Sequence, residues 1–152
     1  MVPAGTDIPR RNRWFVVAPR HVGVFFLWTS GIHLGIVAAD PGFYRHFADG
    51  ALVPGLSDAW RSLFMAHAGI GGLVVAAGEA LLAVLLLGPR WWRRLGWIGT
   101  VAFHAALMCF GWGFWLWCLP VMALLVRGAA ADWRSGDEPR SSESASLAHS
   151  IR

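Results

Sequence analysis

Apolar residues along this chain fall into three long runs separated by short polar stretches. They cover 22–39, 62–87 and 95–126. In the second run, only His67 and Glu79 place ionisable groups among the 25 residues from Leu63 to Leu87. At ~1.5 Å per residue a helix of that length measures roughly 37 Å, which crosses a ~30 Å hydrocarbon layer with some tilt. Gly88-Pro89 ends it, and Arg90, Trp91, Trp92, Arg93 and Arg94 then mark a charged surface and an aromatic interface. The third run holds 32 residues, and one helix of that length would be roughly 48 Å, too long for a single crossing. Gly111-Trp112-Gly113 stands at its centre and reads as a tight turn. With their flanking residues the runs predict four spans, at 22–39, 62–87, 93–110 and 113–127.

What lies between and around the spans is polar. Residues 1–21 form a basic flank with Pro3, Pro9 and Pro19. Residues 40–60 form a loop rich in Gly and Pro. Within it Phe43, Tyr44 and Phe47 suit either a short helix on a membrane surface or an ordinary aromatic loop. From 128 to 152 the composition turns to Ser, Asp, Glu and Arg and predicts a disordered tail.

Composition sharpens this picture. Of 152 residues, 56% are hydrophobic and 14% charged, well below the ~25% charge of a soluble domain, which excludes a simple soluble globule. All 13 basic residues are Arg. The net charge of +4 does not indicate nucleic acid, because the arginines sit at the ends of apolar runs. Arg10, Arg11, Arg13 and Arg20 precede the first span. Arg90, Arg93 and Arg94 lie between the second and third, and Arg127, Arg134, Arg140 and Arg152 follow the fourth. Only Arg45 and Arg61 fall in the other loops. By the positive-inside rule this predicts a multi-pass protein of the cell (inner) membrane with both termini cytoplasmic. The fold class expected is all-α, an integral-membrane four-helix bundle.

The candidate chemistry lies inside the apolar runs. Ala68, Gly72, Ala76 and Ala80 repeat every four residues and give one flat face for close helix contact. Gly31 and Gly35 form a second such pair. Glu79 falls on the Ala68 face, where a lone carboxyl needs a partner or a proton. His33, His67 and His104 come from three different spans, each six residues from an outer end. Six residues are ~9 Å of depth, so the three imidazoles are expected at one level, with Glu79 ~18 Å below the outer end and too deep to bond them. Ser30 and Thr100 lie one turn before His33 and His104 and offer hydroxyls to fix a tautomer or bond a ligand. These groups suit several chemistries: a quinone site with imidazoles donating to carbonyl oxygens, haem ligation by two imidazoles, or a metal site. The plain alternative is three histidines bonded to separate carbonyls and holding helices together. Cys109 and Cys118 fit no metal pattern and are read as small buried thiols, with pairing sterically open.

The segment Glu79-Ala-Leu-Leu-Ala-Val-Leu-Leu-Leu-Gly88, followed by Arg94-Leu95-Gly96, resembles the second-to-third helix region of the DoxX/DoxD-like bacterial membrane proteins. Those are small four-helix proteins with a glutamate in helix two, a glycine at its end and an arginine opening helix three. The resemblance carries over Glu79, Gly88 and Arg94 as motif positions. It implies a membrane component acting beside redox partners, since some members are linked to thiosulfate:quinone oxidoreduction. The expected function is therefore a quinone- or redox-cofactor-binding membrane component around His33, His67, His104 and Glu79. The alternatives are a non-enzymatic scaffold or accessory subunit with a membrane-protein partner or a second copy of itself, and a proton-coupled transporter.

Overall fold

Proline opens the first helix. Pro19 occupies its first turn, where a missing N–H costs nothing, and α1 runs from Pro19 to Ala39. In the computed structural model, which describes residues 18–135, every regular element among those residues is helical. Asp40 ends α1 in an extended conformation, and its carboxylate accepts from Gly42 N–H to start a tight turn over Pro41–Tyr44. A short helix, α2 (Arg45–Asp49), follows. Next come α3 (Leu56–Ala59), a wide turn over Trp60–Phe64, a tight one over Met65–His67, and α4 (Ala68–Leu87). The last two helices are α5 (Arg90–Leu107) and α6 (Trp112–Arg134). Among the described residues, three segments are long and apolar enough to cross a membrane: Pro19–Ala39, Leu56–Leu87 and Trp112–Arg134. Helix α5 carries Arg90, Arg93 and Arg94 within its 18 residues and is less apolar for that reason. Large apolar side chains point outward along these helices; Leu116 is 84% exposed and Leu63 is 75% exposed.

Helix α1 lies antiparallel along α4. The register follows from three contacts: Gly23 against Leu87, Ser30 Oγ donating to Ala76 O at 2.9 Å, and Val37 against Gly72. Gly72 is buried, and any β-carbon there would collide with Val37 and the Tyr44 ring. The Gly72–Ala76 face is thus covered by α1 and Tyr44 within the chain. Helix α5 packs on α4, α6 on α5, and α6 returns to touch α1. A core of Val22, Phe26, Ala83, Leu86, Trp97, Leu125 and Ala129 fills the space between them.

The sequence expectation of a disordered tail from residue 128 fails over its first seven residues. Helix α6 continues to Arg134, with Gly128 and Ala129 buried. Polar contacts hold it there. Trp97 Nε1 donates to Asp132 Oδ2 at 3.2 Å, Arg93 Nε pairs with the same oxygen at 3.3 Å, and Arg90 donates to Trp133 O at 2.9 Å. The rest of the expected tail, 136–152, and most of the expected basic flank, 1–17, lie outside the described residues.

At the other end, the 40–60 segment folds back over the helices. Leu52 N–H donates to Cys109 O at 2.8 Å, and Gly50 lies so close to Phe110 O that a side chain there would clash. Gly111 joins a tight turn over Met108–Phe110 to α6 with φ +144°, a conformation that favours glycine. Cys109 and Cys118 are free thiols, with Cys118 buried.

Asp132 supplies the acceptor for a buried indole and the counter-ion for Arg93. Asp132→Ala is expected to cost about 1–3 kcal/mol and to lower the thermal midpoint of the detergent-purified protein. Asp132→Asn, which keeps an acceptor, should recover part of the loss.

Candidate functional site

Between α1, α4, α5 and α6, under the folded-back segment, lies a cavity of about 350 Å³. That is at the lower end of the ~300–1,000 Å³ range of small-molecule sites. Its walls are mostly rings. Phe26 comes from α1, Phe103 from α5 and Trp117 from α6, while Tyr44, Phe47, Trp60, Phe110 and Phe114 close the top. The closing group is held by stacking and by one hydrogen bond: Trp60 lies on Phe64 at 3.9 Å, and Trp60 Nε1 donates to Tyr44 O at 2.8 Å. Phe25, Ile32 and Trp117 line the cavity yet are 44%, 41% and 39% exposed, so it opens sideways between the helices. A second, smaller cavity of about 230 Å³ shares Phe25, Phe26, His104 and Trp117 with it. It runs on along the α1–α6 seam past Leu124 and Leu125 to His21.

Two sets of polar groups line this apolar space. In the first, Tyr44, His33 and Glu79 form a line. The Tyr44 hydroxyl is 2.6 Å from His33 Nδ1, the two rings stack with 10° between their planes, and His33 Nε2 is 3.6 Å from Glu79 Oε1. The last distance is within ion-pair range and beyond a hydrogen bond. Thr29 adjoins the Glu79 carboxyl, and Glu79 Oε2 is buried with no hydrogen-bond partner. The second is His104 on α5, 1% exposed, between Phe26 and Trp117. Its Nδ1 donates to Thr100 O at 2.8 Å, and its Nε2 is buried without a partner.

The structure brings together His33, His104 and Glu79 from the sequence-derived set and leaves the others elsewhere. His67 is exposed and does not line the cavity. The wide turn at Trp60–Phe64 and the tight turn after it change the helical phase and carry residue 67 outward. Ser30 bonds Ala76 O and ties α1 to α4, away from His33. The Thr100 hydroxyl donates to Trp97 O, and it is the Thr100 carbonyl that sets the His104 tautomer. Gly88 caps α4 outside the cavity, and Arg94 is exposed on α5. Glu79 corrects the depth count. The end of α1 comes level with the first turn of α4, near Gly72, rather than with Arg61, so the carboxyl reaches His33. Among the described residues no three His, Cys, Asp or Glu groups converge to hold a metal.

Tyr44 has no counterpart in the sequence-derived set. It is 1% exposed and is the chain's single tyrosine. Its isolation among phenylalanines is the one available cue, because a buried hydroxyl needs a partner and a ring alone does not.

Burial, and after it the negative charge of Glu79, push the Tyr44 phenol above its ordinary value of 10.0. Both disfavour phenolate, so the phenol stays a neutral donor to His33 at physiological pH. Absorbance of the native protein at the phenolate band should therefore show a midpoint above that value. Glu79→Gln removes the smaller cause and is expected to lower the midpoint without bringing it to that of a free tyrosine.

No protein-family model, curated protein or solved structure matches this chain.

Proposed function

We propose that the chain is a multi-pass protein of the cell (inner) membrane, of DoxX-like type, that binds a lipid-soluble quinone-type ring in the cavity. In this reading α1, the α3–α4 segment, α5 and α6 form a four-helix bundle with both termini cytoplasmic. Arginine placement supports the orientation. Arg20, Arg90, Arg93, Arg94, Arg127 and Arg134 gather at one end of the helices, against Arg45 and Arg61 at the other. The resemblance of Glu79 to Gly88 and of Arg94 to Gly96 to the DoxX/DoxD-like proteins points to the same redox setting.

One observation carries the ligand assignment. Glu79 Oε2 and His104 Nε2 are buried polar atoms without partners, facing an otherwise aromatic and aliphatic cavity. Each such atom costs about 1–3 kcal/mol unless something bonds it. A flat ring with a polar group at each of two edges would answer both atoms and lie between the aromatic walls. The sideways opening and the apolar seam below it suit a ligand that arrives from lipid with a tail. Haem is the weaker candidate, because His33 turns both ring nitrogens to Tyr44 and Glu79 and leaves His104 as the single free imidazole of the cavity.

The accessory-subunit reading has one specific observation in its favour. The Gly72 face is covered by α1, but Gly31 and Gly35 look out on open space from α1. That pair is the face a partner helix or a second copy would use.

Two experiments follow. A C-terminal fluorescent-protein fusion should glow, and an alkaline-phosphatase fusion at the same point should be inactive; the reverse pattern would refute the orientation. Purified protein in nanodiscs should bind a short-tailed quinone saturably, with quenching of tryptophan fluorescence. Ala106→Trp, a change at an exposed position on the cavity wall, should weaken that binding at least about tenfold. Unsaturable quenching, equal in both proteins, would rule out the cavity.

A further inference from the structure

Hydrogen-bond polarity in the cavity narrows the ligand further, granted the ring-binding reading just given. A carbonyl oxygen only accepts, so the 2.8 Å contact with Thr100 O places the His104 proton on Nδ1. The neutral imidazole then presents a bare lone pair at Nε2, and this is the buried, unpartnered atom that faces the cavity. The Tyr44–His33–Glu79 line is set in the same way. The buried Tyr44 hydroxyl has His33 Nδ1 as its partner at 2.6 Å, so its hydrogen goes there. The hydrogen of His33 is then on Nε2 and faces Glu79 Oε1. Glu79 Oε1 lies within ion-pair range of that nitrogen, and its Oε2 is buried with no hydrogen-bond partner. Beside it, Thr29 Oγ1 donates to Phe26 O, and Trp60 Nε1 donates to Tyr44 O.

We propose that the cavity selects the dihydroxy form of a lipid-soluble ring, a hydroquinone, over the corresponding quinone. One ring hydroxyl donates to His104 Nε2 and the other to Glu79 Oε2. A quinone brings carbonyl lone pairs against these two atoms, leaves both unbonded and adds repulsion. Sites built for a hydroxyl reject the analogue without it far more strongly than apolar pockets reject a change of size.

The test uses the full chain in lipid nanodiscs and one probe, a decyl-tailed benzoquinone, in its oxidised form and, without oxygen, in its reduced form. The reduced form should bind on the order of tenfold more tightly or better. A tenfold preference also raises the midpoint potential of the bound couple by about 30 mV. Glu79→Gln and His104→Gln each put an amide N–H where an acceptor stood, and each should bring the ratio of the two affinities toward one while the quinone still binds. In the wild type, nitrogen-15 chemical shifts should show His104 Nε2 without a proton. Saturable binding with equal affinities, a preference for the quinone, or a protonated His104 Nε2 would overturn the selection and leave the ring-binding reading standing. Saturable binding of neither form would overturn both.

Discussion

A carboxyl group set between apolar helices must be answered by other polar atoms, and the arrangement around Glu79 follows from that requirement. Glu79 is 3% exposed. One answer is His33, and His33 in turn is held by Tyr44, which none of the long helices supplies. The segment carrying Tyr44 has to leave the end of α1, fold back over the helices and stay there. Its anchors are few and specific: the Asp40 turn, the Trp60 indole on the Tyr44 carbonyl, the Leu52–Cys109 hydrogen bond, and two glycines at the point of closest approach. The aromatic rings between these anchors exclude water and lower the local dielectric. That raises the worth of every polar contact below them and the cost of every one left unmade.

The two ends of the molecule divide the work. Near the arginines, side chains interlock: Trp97 and Leu86 are almost wholly buried, and α6 is tied to α5 through Asp132. At the opposite end the helices part, and rings surround a space instead of filling it. The Glu79 and His104 atoms that find no partner lie in that second region. A structure that needed only stability would place hydrogen-bonded or apolar groups at both positions.

The helices are legible in the sequence because apolar runs of membrane length have few alternatives, and because Gly111 sits where the longest run must turn. Glu79 and His104 are legible as candidates because ionisable groups are rare in such runs. Their depth is not legible. A residue count fixes height along one helix, but the offset between helices depends on where each begins to pack, and the contact of Val37 with Gly72 sets an offset that no count reveals. His67 is misread for a related reason. A periodic count assumes an unbroken helix, and the turns at 60–67 break the phase. Tyr44 and the reach of α6 to Arg134 are hidden because each depends on long-range polar contacts in a segment whose composition reads as loop or tail.

Under the proposed ring-binding reading, the sideways mouth at Phe25, Ile32 and Trp117 changes what affinity means for this molecule. A ligand that reaches the cavity through the acyl-chain layer is counted per lipid molecule, not per litre of water. Occupancy would then follow the mole fraction of ligand in the bilayer, and diluting the membrane with more phospholipid would empty the site even at fixed aqueous concentration. A weak intrinsic grip would suffice wherever the ligand is itself an abundant constituent of the bilayer.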